Sequence, residues 1–274
     1  MLKDITLGQY FPGNSAIHKM DPRVKIMLTL LYMVLVFVAN NALSYLLLFC
    51  FLSSCILISK ISMKFFLKGL RPLIIIICFT GILNMFMTPG DPLFSIWKIT
   101  ATREGLSLAV FMILRIVFLI MGTSLLTYTT SPILLTDGIE KLLNPFRKIG
   151  VPAHELAMMM TIALRFIPTL IEETDKIMKA QSSRGADFES GNLIKRAKSF
   201  IPLLVPLFIN AFKRAEELAM AMECRCYHGG ENRTRMRQLK TTNIDYISVG
   251  IFVLVTAGII CLRFVHIPYL DLIS

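Results

Sequence analysis

Charge is scarce in this sequence. Asp, Glu, Lys and Arg make up 17% of its 274 residues, against roughly a quarter in soluble domains. Hydrophobic residues reach 55% and mean hydropathy is +0.65, which argues against a soluble protein and for a polytopic membrane protein. No glycine-rich P-loop string occurs, so the chain has no such means of holding ATP. Cys50, Cys55, Cys78, Cys224, Cys226 and Cys261 form no CxxC pair, and neither structural disulfides nor zinc are expected. His154-Glu155 lacks a second histidine at zincin spacing, and His18, His154, His228 and His266 are scattered. They read as isolated surface or interfacial side chains, so no metal, no cofactor and no catalytic residue is expected. Met1 to Pro22 is polar and mixed in charge, unlike a cleavable signal.

What is present is a set of long apolar runs. Val24–Ala39 and Ala42–Ser59, parted only by Asn40-Asn41, read as a tight helical hairpin; Leu70–Thr88, Leu106–Leu126 and Ile244–Val265 follow. A crossing helix needs about 20 residues, so the first run is short. Lys and Arg set the orientation. With the amino terminus inside, Lys3, Lys19, Arg23, Lys25, Lys60, Lys64, Lys68 and Arg71 are cytosolic, as is the large group from Lys141 to Lys240. Lys98, Arg103 and Arg263 would lie outside. The positive-inside rule favours this topology and accounts for much of the net charge of +11. The expected organisation is a membrane domain over 1–130, a cytosolic or interfacial domain over 131–243, and a last transmembrane helix with an external carboxyl terminus over 244–274.

The inserted region contains three helical patterns. Pro132–Lys148 is short and amphipathic, while Ala153–Arg184 and Leu193–Arg225 are each long enough to reach nearly 50 Å as a helix. Each long pattern is apolar first and charged later. Each also repeats a phrase: Phe166-Ile167-Pro168-Thr169-Leu170 leads to Ser183-Arg184-Gly185, and Phe200-Ile201-Pro202-Leu203-Leu204 leads to Cys224-Arg225-Cys226. The spacings from Phe to Arg differ by one heptad, which places each arginine near its own phenylalanine's face. A terminal cation offsets the helix macrodipole by about 0.3–1 kcal/mol. The same arginine can present a planar five-donor fork to a partner. The residues alone leave both readings open.

The strings LGQYFPGNSAIHKMDPRVK, LTYTTSP, ALRFIPTLIEETDKIMKAQSSRGADFESGNLIKRAKSFIPLLVPLF and RAEELAMAMECRCYHGG resemble the transmembrane T component of energy-coupling factor (ECF) transporters. The likeness runs nearly end to end and is densest from Leu126 to Gly230. It implies an all-α fold of about five transmembrane helices plus a cytosolic or interfacial coupling region of three helices. It also implies that two short motifs, usually Ala-Arg-Gly, dock on a pair of ABC-type ATPases in the cytosol. Ser183, Arg184 and Gly185, and Cys224, Arg225 and Cys226, match those motifs, with serine and cysteines replacing the usual flanking residues. A membrane-embedded substrate-binding S component would be the other partner, and vitamins or related micronutrients the cargo. The expected location is the bacterial plasma membrane, as a multi-pass protein that is not itself an enzyme.

Other features are weighed beside this. Arg115 lies inside the fourth apolar run, where a cation costs roughly 2.5–3.5 kcal/mol on insertion scales, so it should have a partner. Asn84 is a candidate, and a structural polar lock is the simpler reading against a role on a substrate path. Met158, Met159, Met160, Met178, Met220, Met222 and Met236 are ordinary filling or an adaptable surface for exchangeable partners. Pro168, Pro202 and Pro206 should each remove a helical hydrogen bond. Glu172-Glu173 and Glu216-Glu217 read as solvated, salt-bridging pairs. The basic run Arg233–Lys240 reads as a lipid-headgroup anchor, ahead of nucleic acid, which is not an expected partner. A self-contained secondary transporter or channel is the alternative; it predicts ionisable groups at mid-membrane and inverted repeats. Only Arg115 is intramembrane, and the visible repeat lies outside the spans. An intramembrane protease would need paired Asp, His or Ser in the spans, and none is found.

Overall fold

A computed structural model describes residues 10–89, 92–96, 99–186, 188, 192–230 and 238–264. They fall into two compact units: a core unit of residues 10–138 and 239–264, and an insert unit of residues 139–238.

In the core unit, α1 (Ala16–Lys19) leads to α2 (Pro22–Val38), α3 (Ala42–Ser59) and α4 (Met63–Leu70). The Asp21 side chain caps α2 by accepting from the Arg23 N–H at 2.9 Å. Pro22 follows at the first helical position, where its missing N–H has no intrahelical partner to lose. At 17 residues, α2 spans about 25 Å. A 3₁₀ turn over Arg71–Leu73 joins α4 to α5 (Ile74–Met87). Pro72 has no N–H to give Lys68, which accounts for the tightened turn. The helical run therefore begins at Met63, seven residues before the expected start at Leu70. An antiparallel hairpin, β1 (Pro92–Ile96) and β2 (Ile99–Thr102), then pairs Ile96 with Ile99. No sequence feature announced this hairpin. Thr102 closes it onto α6 (Arg103–Thr129), accepting from the Gly105 N–H and donating to the Thr88 carbonyl.

The core packs α2, α3, α6 and α11 (Asn243–Phe264) around Tyr32, Val36, Leu48, Phe118, Phe252 and Ile259. Gly122 is required where α2 meets α6, because the Tyr32 ring occupies the space a Cβ would need. That lets the Tyr32 ring pack directly on the α6 backbone, a use of small residues common at membrane-helix contacts. The Tyr32 hydroxyl donates to the Phe118 carbonyl at 3.2 Å.

α7 (Pro132–Leu143) carries the chain across the boundary between the units. In the insert unit a 3₁₀ segment, Asn144–Ile149, ends at Gly150 in the left-handed region. The expected helix to Lys148 thus tightens after Leu143, where Pro145 removes a donor. α8 (Ala153–Ser183) is a single helix of 31 residues that passes through Pro168. The second rod is instead two helices, α9 (Leu193–Ser199) and α10 (Ile201–Cys224), broken at Phe200. Pro202 cannot donate to the Lys198 carbonyl, so the rod restarts there with proline near its amino end.

Among the described residues, five helical segments are long and apolar enough to cross a membrane: Ala42–Ser59, Met63–Met87, Glu104–Thr129, Ala153–Ser183 and Asn243–Leu262. Four match expected spans. α8 joins this set by length and composition, and the shorter α2 does not. The fold is an all-α polytopic membrane protein with one small hairpin among the described residues.

Candidate functional site

The two arginine motifs close their helices in the same way. Arg184 is the last residue before the chain turns out of α8, and Gly185 follows with φ of 89°. The Gly185 N–H reaches the Ser182 carbonyl at 3.0 Å, and the Ala186 N–H reaches that of Gln181 at 3.0 Å. This is the Schellman pair of bonds. α10 repeats it: Arg225 occupies the cap, the Cys226 N–H reaches Glu223 at 2.8 Å, and the Tyr227 N–H reaches Met222 at 3.1 Å. Cys226 takes the left-handed position with φ of 54°, where glycine is usual. His228 Nδ1 donates to the Cys226 carbonyl at 2.9 Å, holding the turn from outside. Ser183, Arg184, Gly185, Cys224, Arg225 and Cys226 are all exposed.

The helices that carry these tips run antiparallel. Gln181, near the end of α8, donates to the carbonyl of Pro202, near the start of α10, at 3.4 Å. Glu173 lies further along: its Oε1 accepts from Asn210 at 2.6 Å, and its Oε2 faces Arg214 at 3.4 Å. At the other end Gly230 lies against the His154 ring, which leaves no room for a Cβ. Each tip is therefore beside the start of the opposite helix. Arg184 and Arg225 stand apart by about the length of α10, roughly 36 Å for 24 residues.

Proline explains one link between the rods. Pro206 lacks the N–H that would bond the Pro202 carbonyl, and Gln181 from α8 donates to that vacant acceptor. Glu173 is also more than a solvated acid, since its side chain is 18% exposed and braces α10. His154 is not isolated either; its Nδ1 is 3.2 Å from Glu140 Oε1. The apolar side of α10 remains uncovered among the described residues, with Ile201, Leu204, Phe208 and Phe212 exposed.

Arg115 in α6 donates from Nε to the Tyr45 hydroxyl at 3.2 Å and lies 5.6 Å from the centre of the Phe37 ring. Asn84, the candidate partner, donates instead to the Thr80 carbonyl one turn back in its own helix. The arginine is thus held by aromatic side chains of α3 and α2.

A family model described as cobalt transport protein, CbiQ, matches residues 13–236, a range that holds both tips. The chain belongs to the CbiQ family. Proteins named energy-coupling factor transporter transmembrane protein EcfT are similar along nearly the whole chain. That of Thermosediminibacter oceani is 59% identical over 267 residues, covering 96% of this chain and all of its own length. That of Clostridium kluyveri is 62% identical over 251 residues, covering 90% and 93%. That of Bacillus subtilis is 49% identical over 261 residues, covering 95% and 98%. This CbiQ-family chain is a multi-pass cell-membrane protein and a transmembrane component of an ECF transporter.

A second polar cluster of this family member was missed from the sequence. Asp21, Lys25, Thr129, Thr130 and Asp245 are each at most 6% exposed. The Asp21 N–H donates to Asp245 Oδ1 at 2.8 Å, and the Thr242 N–H donates to Asp245 Oδ2 at 2.7 Å. The second bond is half of a capping box on α11. Burial alone would raise the Asp21 carboxyl, but hydrogen bonds from the Arg23 side chain and N–H hold it below its usual value. Burial lowers His18, opposed by its bond to the Phe11 carbonyl and aided by the nearby Lys25 charge. The neutral ring fits its surroundings: Nε2 donates to Phe11 at 3.0 Å and Nδ1 accepts from Ser15 at 2.7 Å. A signal was present in Asp21-Pro22 and in the Thr242–Asp245 spacing, both of which are helix-start patterns. Most of the basic run Arg233–Lys240, with Met236, and His266 and Lys98, lie outside the described residues.

Proposed function

We propose that this chain transmits the motion of two cytosolic ABC-type ATPases to a membrane-embedded S component, and so drives uptake of a vitamin or related micronutrient. The observation that carries this reading is the pair of equivalent arginine caps at opposite ends of α8 and α10. Two exposed guanidiniums so far apart address two separate bodies better than one. Each tip is rigidly presented, because the Schellman bonds fix the last turn beneath the arginine. The fork of five donors suits carboxylates and carbonyls lining a groove. ATP would bind and be hydrolysed in the partners, and closure of the ATPase pair would displace both tips together.

In the same reading residues 131–243 form the coupling domain, the amino terminus is cytosolic and the carboxyl terminus external. The uncovered apolar side of α10 would meet the S component or lipid. Arg115 serves as a lock between helices, since Tyr45 and Phe37 engage it within the core unit. The test is to replace Arg184 and Arg225 by Glu, singly and together, in the intact complex. Each single variant should weaken recovery of the ATPases, and the double variant should abolish recovery and uptake. Unchanged recovery and uptake in the double variant would overturn the proposal.

A further inference from the structure

The chain leaves the core unit after Gly138 and re-enters it at Leu239. Both of these ends are gripped by one short stretch, Asp21 to Ile26. On the outgoing side, Lys25 Nζ donates to the Thr129 carbonyl at 3.0 Å and to Thr130 Oγ1 at 3.2 Å, between α6 and α7. These acceptors include a helix-end carbonyl with no intrahelical donor. Gly138 itself lies so close to Pro22 and Ile26 that a Cβ would stand 3.1–3.3 Å from them. On the returning side, Arg23 donates to the Leu239 carbonyl at 3.3 Å. The Asp21 N–H and the Thr242 N–H share the two oxygens of Asp245. The Arg23 guanidinium also closes on Asp21 at 2.7 Å.

We propose that Asp21, Arg23, Lys25 and Asp245 form a clamp that fixes both core-side ends of the insert, so that displacement of the insert is passed to the membrane helices instead of being lost at its connections. The residues are positioning residues, acting through the backbone they hold. Burying Asp21, Lys25 and Asp245, with Arg23 half-buried beside them, is poor economy for stability alone, because desolvation offsets much of the attraction. It is well suited to holding one geometry, since moving either end would strand a buried charge or a backbone donor. The apolar helices around the clamp supply cohesion but no directional restraint of this kind. What passes through the clamp rests on the coupling reading above; that the clamp holds both ends does not.

The experiment uses the complete transporter in membranes, with Asp245→Asn and Lys25→Met, and with Asp245→Glu as the conservative variant. Hydrogen exchange reports the clamp directly. The amides of Asp21 and Thr242 should open about tenfold more readily in Asp245→Asn, as expected when a charge-assisted hydrogen bond is weakened. ATPase recovery and hydrolysis should persist while uptake per ATP falls at least about tenfold, and Asp245→Glu should restore part of it. Loosened amides with wild-type uptake per ATP would overturn the clamp's transmitting role. Unchanged amides would overturn the clamp itself, as would loss of assembly in all three variants, which would make these residues ordinary folding elements. The double Arg184 and Arg225 variant, run alongside, separates these outcomes from failure of the coupling reading, because only that failure leaves its ATPase recovery intact.

Discussion

The two tips differ most in the residue that follows the arginine. Both rods end in Arg at the cap, both make the same two backbone bonds, and both then enter the left-handed region. The first does so with Gly185, which meets nothing that a Cβ would touch, and the second with Cys226. An L-residue with a side chain is disfavoured there by about 1–2 kcal/mol. The second tip must therefore be held by its surroundings, and His228 bonding to the Cys226 carbonyl is one such hold. The difference teaches that the same cap geometry forms with or without glycine when neighbouring groups hold the turn, so glycine eases it without being required.

The rods differ in their middles as well. α8 absorbs Pro168 without interruption, whereas the matching Pro202 coincides with a break at Phe200. A second proline, Pro206, leaves another carbonyl for α8 to satisfy. The longer rod thus serves as the uninterrupted member, and it supplies the donor that the shorter one lacks.

Breaking the brace between the rods should have the largest effect. Glu173→Ala removes the acceptor of Asn210 and the partner of Arg214 together, at a cost of about 2–3 kcal/mol. Faster hydrogen exchange should then appear at both tips, at Ala186 and at Tyr227. A change confined to one tip would show that the rods do not act as a pair.

Exchanging the tips sharpens the comparison itself. Gly185→Cys should weaken the first cap by about 1–2 kcal/mol, and Cys226→Gly should strengthen the second by about 1 kcal/mol. The readout is protection of the Ala186 and Tyr227 amides in each variant. Equal protection at both tips in the unaltered protein, with no response to either change, would mean that φ sets nothing there.

The smallest effect is expected from Gln181→Ala, about 0.5–1 kcal/mol, because the bond to Pro202 is long and exposed. In a Pro206→Ala background the same change should cost less, since the restored N–H can satisfy that carbonyl. A double-mutant cycle on the stability of residues 139–238 measures the coupling. Zero coupling would remove proline from the explanation.

Much of this was legible in the chain. Apolar runs announced α3, α5, α6 and α11 to within a few residues, because lipid demands long uninterrupted helices whose backbone bonds are all internal. The tips were legible because the repeated phrase and terminal arginine are local features. The break at Phe200 was not, since Pro168 and Pro202 sit in similar strings and only neighbouring structure decides which one interrupts a helix. The start of the helical run that leads into α5 was misplaced because Lys64, Lys68 and Arg71 read as a connecting segment, while an amphipathic α4 can carry them.

The Asp21, Lys25 and Asp245 cluster was hidden for a different reason. Asp245 stands more than 200 residues from Asp21 and Lys25 in the chain, and each alone looks like a charge flanking a membrane span. By itself the sequence determined the class of protein, the approximate spans and the identity of the two tip arginines, because hydropathy, helix periodicity and capping are local. Only the tertiary structure decided that the rods run antiparallel with their tips at opposite ends, and that one buried charge cluster holds both ends of the insert. Those facts depend on which distant donors and acceptors find one another once burial has removed water as a partner.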